Sequence, residues 1–236
     1  MRDLIVAPDA SPFRSMTLEK FQALAQANNV PTEWLYTDAE REATRKREMA
    51  GYEDGDLWVF AYGSLMWDPA FRFTDIRRAF LPGYARKFIL KDIYGGRGTA
   101  EAPGVMAALD NGAGCAGIAY CIAEAAIEVE TEVLWRRERI GPAYRAGFVP
   151  AELDGLPQRV LAFIADHDAT LIEPDLPRAD QVRYLATGAG LFGTSLDYIR
   201  QIEARFALLG IEDPDLSALH RDAEAYAAQI AGAKPA

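Results

Sequence analysis

Apolar residues fall in short, scattered groups before residue 55 and in longer runs after it. Within the first part, "TLEKFQALAQAN" (17–28) carries helical spacing behind a Thr17 N-cap. The run "TDAEREATRKREMAGYEDGD" (37–56) has helix formers but no wide apolar face, which predicts a surface helix or lead-in rather than a catalytic part. From Leu57 the texture changes. "LWVFAY" (57–62) is an unbroken apolar run of strand length and predicts a buried strand. "FLPGYARKFIL" (80–90) predicts a strand after a Pro-Gly turn, and "GVMAALD" (104–110) and "AGIAYCI" (116–122) predict two short strands joined by a hairpin through "NGAGC". A helix over 123–139 and strands over 144–153 and 159–166 follow. Two or three helices close the chain, the candidates ending at Gly188, running from Thr194–Ser195 to Gly210, and opening behind Pro214.

Strands, one central helix, more strands and then helices do not form the regular alternation of a parallel α/β fold. The order predicts an α+β protein built on a small mixed β-barrel or strongly curved sheet, with peripheral helices. Three regions are expected: a helical lead-in over 1–55, the main domain over 56–225, and a tail over 226–236, with "AGAKPA" as a frayed end.

The 236 residues carry a formal net charge of -10, which argues against a nucleic-acid or anionic-membrane surface. No run of about 18 apolar residues spans a membrane and no secretory signal is read at the N-terminus, so the cytoplasm is expected. Cys115 and Cys121 fit buried free thiols better than a disulfide or zinc framework. With two histidines, His167 and His220, a multi-histidine metal site is excluded, and both residues are expected to be solvated.

Several motifs fail on context. "GAGCAG" (112–117) lies between strands and "GAGLFG" (188–193) between helices, whereas a dinucleotide fingerprint needs a strand before it and a helix after it. Ser64 lacks the spacing of a nucleophile elbow and has no evident histidine to activate it.

Two features remain. Gly63 and Ser64 interrupt the most hydrophobic stretch of the chain, "VFAYGSLMWDP" (59–69). They form either a tight turn or bulge, or a loop whose successive N–H groups meet an anionic head group. On the central helix, Ile127, Leu134 and Glu138 share one face, so the buried stripe ends in a carboxylate near the helix C-terminus. Burial and the helix dipole both raise the pKa of such an acid, which makes it a proton shuttle near neutral pH. The competing reading is a glutamate paired with Arg136, Arg137 or Arg139.

Five segments occur in order: "WVFAYGSLMWDP" (58–69), "GRGTAEAPG" (96–104), "CAGIAYCI" (115–122), "LWRRER…YR" (134–145) and "GLFGTSLDYI" (190–199). Together they resemble the ChaC-type γ-glutamylcyclotransferases, the glutathione-degrading branch of the γ-glutamylcyclotransferase-like fold, over roughly residues 57–222. The resemblance implies a compact mixed barrel with peripheral helices and no cofactor. It implies a carbon–nitrogen lyase that cyclises the γ-glutamyl group of glutathione to 5-oxoproline and releases cysteinylglycine. It makes Glu138 the general acid/base and Tyr62, Gly63, Ser64 and Leu65 the substrate loop, with Arg97, Tyr144 and Tyr198 also at the substrate. Two departures stand out. Gly96 occupies the place of the family's histidine, and the connection "RIGPA" (139–143) is longer than a simple glycine pair. The alternatives are the same reaction on another γ-glutamyl amine or amino acid, and a non-catalytic γ-glutamyl binder or regulatory protein; an acid on the Glu138 face favours catalysis.

Overall fold

The computed structural model describes residue 2, residues 5–53 and residues 55–233. Strands β1 (Leu57–Ala61), β2 (Asp75–Tyr94), β3 (Thr99–Ile122), β4 (Tyr144–Leu153) and β5 (Leu156–Ala165) close a barrel in the order β1-β3-β2-β4-β5. The barrel is mixed: β1 runs parallel to β5 at Val59↔Leu161, and the other pairs are antiparallel. Closure rests on short contacts, Val59↔Leu161 between β1 and β5 and Ala79↔Leu153 with Phe80↔Glu152 between β2 and β4. The barrel interior and the helix faces on it share one core, with Phe60, Leu109, Tyr120, Leu134, Trp135 and Phe163 essentially inaccessible to water.

Two expectations about strand ends are corrected. The Pro82–Gly83 pair does not turn the chain, and "NGAGC" is not a hairpin loop: β2 and β3 each run straight through. The ladder shifts register between Pro82 and Tyr84, opposite Asn111–Gly114, and Gly83 takes φ +80° there. A bulge is where a strand tolerates a proline without an N–H and a glycine with positive φ. It bends the long ribbon so that it can wrap around the barrel.

Helices α1 (Leu18–Ala27) and α2 (Asp38–Met49) precede the barrel. Thr17 caps α1 by accepting from the Lys20 amide, and Thr37 and Glu40 form a reciprocal capping box on α2. Helix α2 is not simply a surface helix. Its Arg41 and Arg45 are buried, and Arg45 donates to Glu128 and to Thr131 Oγ1 of α3 (Ile127–Glu138). Helices α4 (Arg178–Thr187), α5 (Ser195–Leu209) and α6 (Pro214–Gly232) follow the barrel. Their ends match local chemistry: Thr194 caps α5, Gly210 takes the left-handed conformation behind it, and Pro214 stands at the first turn of α6. Helix α6 continues past residue 225 to Gly232; the end of the expected frayed tail, 234–236, lies outside the described residues.

The histidine expectation changes for one of the two residues. His220 is 9% exposed, bonded to the Glu203 carboxylate and 3.3 Å from that of Glu224. His167 is half-exposed and bonded to Asp110 at 2.9 Å. Cys115 and Cys121 are buried free thiols. Among the described residues, no helix is long and apolar enough to cross a membrane, and no group of three or more His, Cys, Asp or Glu side chains is placed to hold a metal ion.

Candidate active site

Where β1 ends, the chain leaves the barrel through Tyr62 and Gly63 into a 3₁₀ turn, Ser64–Met66. This turn forms one side of a cleft of about 170 Å³. The amides of Met66, Trp67 and Asp68 are used inside it, on the carbonyls of Gly63 and Ser64. Those of Ser64 and Leu65 stand at its N-terminal end, where such groups have no intrahelical partner.

Gly63 keeps a negative φ of -131°, so the positive φ considered from sequence is not used. Its lack of a side chain serves close approach: an added Cβ would lie 2.7 Å from the hydroxyl of Tyr198. Tyr198 stands in the first turn of α5, which the Thr194 cap aims at the cleft. Gly63→Ala is therefore expected to push Tyr198 out of place, raising KM several-fold or more; Gly63→Ala with Tyr198→Phe restores part of the loss. Steady-state kinetics of both variants checks this.

Glu138 is the last residue of α3, with its side chain 12% exposed. Burial pushes its carboxyl above the ordinary carboxylate range, opposed by the charge and hydrogen bond of Arg137. Both sequence readings thus describe the same group: a desolvated acid that also has an arginine partner. Arg137 pairs with Glu138 through Nη1, donates to Ser64 Oγ at 3.1 Å through Nη2, and lies 5.1 Å over the ring of Phe13. One guanidinium thereby fixes the distance between the loop and the acid.

Three tyrosines surround Glu138 closely enough for its charge to raise their pKa values further, beyond what burial does. Tyr198 is pushed up to about 12, with Arg97 opposing. Tyr144 donates to the Ala107 carbonyl at 3.2 Å, and Tyr62 lies behind it, hydroxyl to hydroxyl. Tyr144, Tyr198, Ser64, Arg97 and Glu138 line the cleft. Tyr62 is 5% and Leu65 4% exposed; both belong to the core that supports the loop, and the Leu65 carbonyl accepts from Tyr120 at 2.9 Å.

Arg97 stacks 4.9 Å over Tyr198 and donates to the Thr194 carbonyl at 3.0 Å. Its loop is gathered by Asp92, buried and raised in pKa by burial, which accepts from the amides of Tyr94 and Arg97. At Gly96 a Cβ would come within 2.6 Å of the Asp92 carboxylate, so a side chain there requires Asp92 to move. Of the glycines in "GAGLFG", Gly188 caps α4, and Gly190 and Gly193 lie in a short ribbon, β6 (Ala189–Gly190) with β7 (Gly193–Thr194). Its tip bonds Phe192 N to the Gly96 carbonyl and sets the Phe192 ring on the cleft.

The family model for ChaC-like proteins matches residues 57–226, which include the turn, the Arg97 loop, Glu138 and Tyr198. The chain belongs to the ChaC family. Among its ChaC relatives, the glutathione-specific gamma-glutamylcyclotransferase of Escherichia coli strain K12 is 35% identical over 187 residues, covering 78% of this chain and 80% of that protein. Glutathione-specific gamma-glutamylcyclotransferase 1 of Homo sapiens is 31% identical over 171 residues, covering 69% and 76%. The crystal structure of a yeast gamma-glutamyl cyclotransferase specific to glutathione superposes with a TM-score of 0.67 at 20% identity, over 73% of this chain and 97% of that one. That likeness is one of fold.

Sequence reasoning missed several groups in this ChaC cleft. Arg137 appeared only as one of three possible partners for Glu138. Asp68 lines the cleft, 8% exposed, with its Oδ1 left without a hydrogen-bond partner. Phe13, Phe21 and Trp34 line it from before residue 57. The signal for Arg137 was its place next to a buried acid on the same last turn; for the three aromatics no local signal existed.

Proposed function

We propose that this protein cleaves the γ-glutamyl amide of glutathione by intramolecular cyclisation, giving 5-oxoproline and cysteinylglycine. The observation that carries the reading is Glu138, a desolvated carboxylate tied through Arg137 to the Ser64 turn, in a cleft that no histidine lines. The α-amino nitrogen attacks the γ-carbonyl carbon, forming the ring C–N bond, and the C–N bond to the cysteine nitrogen breaks. Glu138 accepts the proton that the α-ammonium group must lose and returns one to the departing amine. The enzyme supplies no nucleophile, in keeping with a serine whose hydroxyl is engaged by an arginine.

The turn Tyr62–Leu65 holds the α-carboxylate, with the amides of Ser64 and Leu65 as donors and Arg97 as the nearby cation. Tyr144 and Tyr198 fold the γ-glutamyl chain toward a five-membered ring, an orientation effect. The names of the E. coli and human relatives support glutathione as the substrate. Two free buried thiols accord with a reducing, cytoplasmic setting. The residues given catalytic and head-binding roles all lie within 56–225, and Phe13, Phe21 and Trp34 add to the cleft from before it.

The test is direct. Purified protein incubated with glutathione is expected to yield equimolar 5-oxoproline and cysteinylglycine by mass spectrometry. Product only from a different γ-glutamyl compound would reassign the substrate; no product from any of them would overturn the reaction.

A further inference from the structure

The aromatic ceiling of the cleft comes from outside the family-matched region. Phe13, Phe21 and Trp34 all precede residue 57, where the ChaC match begins.

This ceiling is fixed in place. Arg14 ties the segment to Glu130 of α3 by two bonds of 2.7 and 3.0 Å. The Tyr36 amide donates to the Ile140 carbonyl at 2.9 Å. Trp34 stacks on Tyr94 at 4.9 Å and 12°, and its indole N–H is satisfied by the Pro31 carbonyl at 2.8 Å. Phe21 meets Trp34 edge-on at 6.5 Å and Phe192 at 6.0 Å.

Its two ends face different parts of the reaction. Phe13 covers Arg137 and so lies at the Ser64 end, over the γ-glutamyl head. Trp34 lies on the connection after Glu138, where a Cβ at Gly141 would come within 2.3 Å of its ring. With the head at Ser64 and the γ-carbonyl at Glu138, the substituent on the departing nitrogen extends toward Ile140, Gly141 and Ala143, beneath Trp34 and Phe21. The longer 139–143 connection is the surface on which this part of the segment docks.

We propose that Phe21 and Trp34 form the subsite for the amine half of the substrate. The inference rests on the cyclisation proposed above. The segment brings aromatic faces and no charge to the cleft. Such faces recognise a neutral, polarisable side chain through van der Waals and sulfur–aromatic contact, and do not select by ion pairing. Because the rings are already held in place, little ordering cost offsets the contact.

Two ligands separate this from the reading beneath it: glutathione, and γ-glutamyl methylamide, which has the same head but no amine-half side chain. Dissociation constants are measured by calorimetry in the Glu138→Gln background, and KM in the otherwise native protein. Trp34→Ala is expected to weaken glutathione roughly tenfold in both Kd and KM, with less than about a twofold change for the methylamide. Trp34→Phe restores most of the affinity, and Phe21→Leu, a milder change at a buried position, moves glutathione in the same direction as Trp34→Ala. Equal affinity of native and Trp34→Ala proteins for glutathione overturns the subsite, as does an equal loss for both ligands. Glutathione binding that responds to Trp34 without any turnover upholds the subsite and sinks the cyclisation. Failure of the native protein to bind either ligand overturns both.

Discussion

Glu138→Gln is expected to lower kcat on glutathione by about 10²–10⁴-fold, the usual contribution of a positioned general acid/base. Glutamine keeps the shape of the side chain and an acceptor for Arg137, but it cannot take a proton from the α-ammonium group. A folded, fully active variant would sink the mechanism. The pH profile is a second readout on the native enzyme. Burial raises the Glu138 pKa, with Arg137 opposing, so the acid limb of kcat is expected above the ordinary carboxylate range. Activity is lost as pH falls through that raised value, because the protonated acid cannot act as base. Stability runs the other way: a folded pKa above the unfolded one means Glu138 destabilises the fold as pH rises from the unfolded value through the folded one. In the proposed mechanism, catalysis therefore operates in the pH range where this carboxylate costs the fold most.

Arg14→Met is expected to cost about 3–5 kcal/mol of stability, the range for breaking a buried ion pair from one side. Glu130 is the more buried partner, with 4% of its side chain exposed against 16% for Arg14. It also accepts from the Arg72 amide at 2.7 Å. Burial pushes the Glu130 pKa up, but the Arg14 bond, the Arg72 amide and their charges bring it below the ordinary value. Its contribution is therefore fully present above the unfolded carboxylate pKa and is lost as pH falls through the lower, folded value. Urea unfolding at neutral and acid pH reads both effects. Arg14→Met should lower stability most at neutral pH and flatten the decline toward acid, and Glu130→Leu added to it should recover much of the loss. A variant as stable as the native protein at neutral pH would show that the pair does not anchor the segment.

Much of the architecture was readable because its causes are local. Thr17, Thr194, Gly210 and Pro214 mark helix ends by chemistry acting within one turn, and the structure uses each of them so. Burial along 57–62 needed only an unbroken apolar run. The errors at 80–83 and 111–115 have the opposite origin. Pro-Gly and Asn-Gly favour turns in isolation, but each lies opposite the other across the β2–β3 ladder, which converts two apparent turns into one bulge. The site divides in the same way. Gly63 and Glu138 were visible as interruptions of apolar patterns. Phe13, Phe21 and Trp34 interrupt nothing, since an aromatic residue in a polar segment says nothing about which distant surface it covers. Charged side chains misled most: Arg41, Arg45 and His220 suggested solvated faces, yet each is buried beside a carboxylate.

The Arg14–Glu130 contact spans 116 residues of sequence. On a ribosome adding about 5–20 residues per second, the first residues emerge roughly 6–23 s before α3 exists to receive them. During that interval Phe13, Phe21 and Trp34 have no surface to cover and must wait in water or on a chaperone. β1 faces a similar delay, since its parallel neighbour β5 is made about 100 residues later. The segment made first thus waits for α3, and the cleft waits longer still for Phe192 and Tyr198.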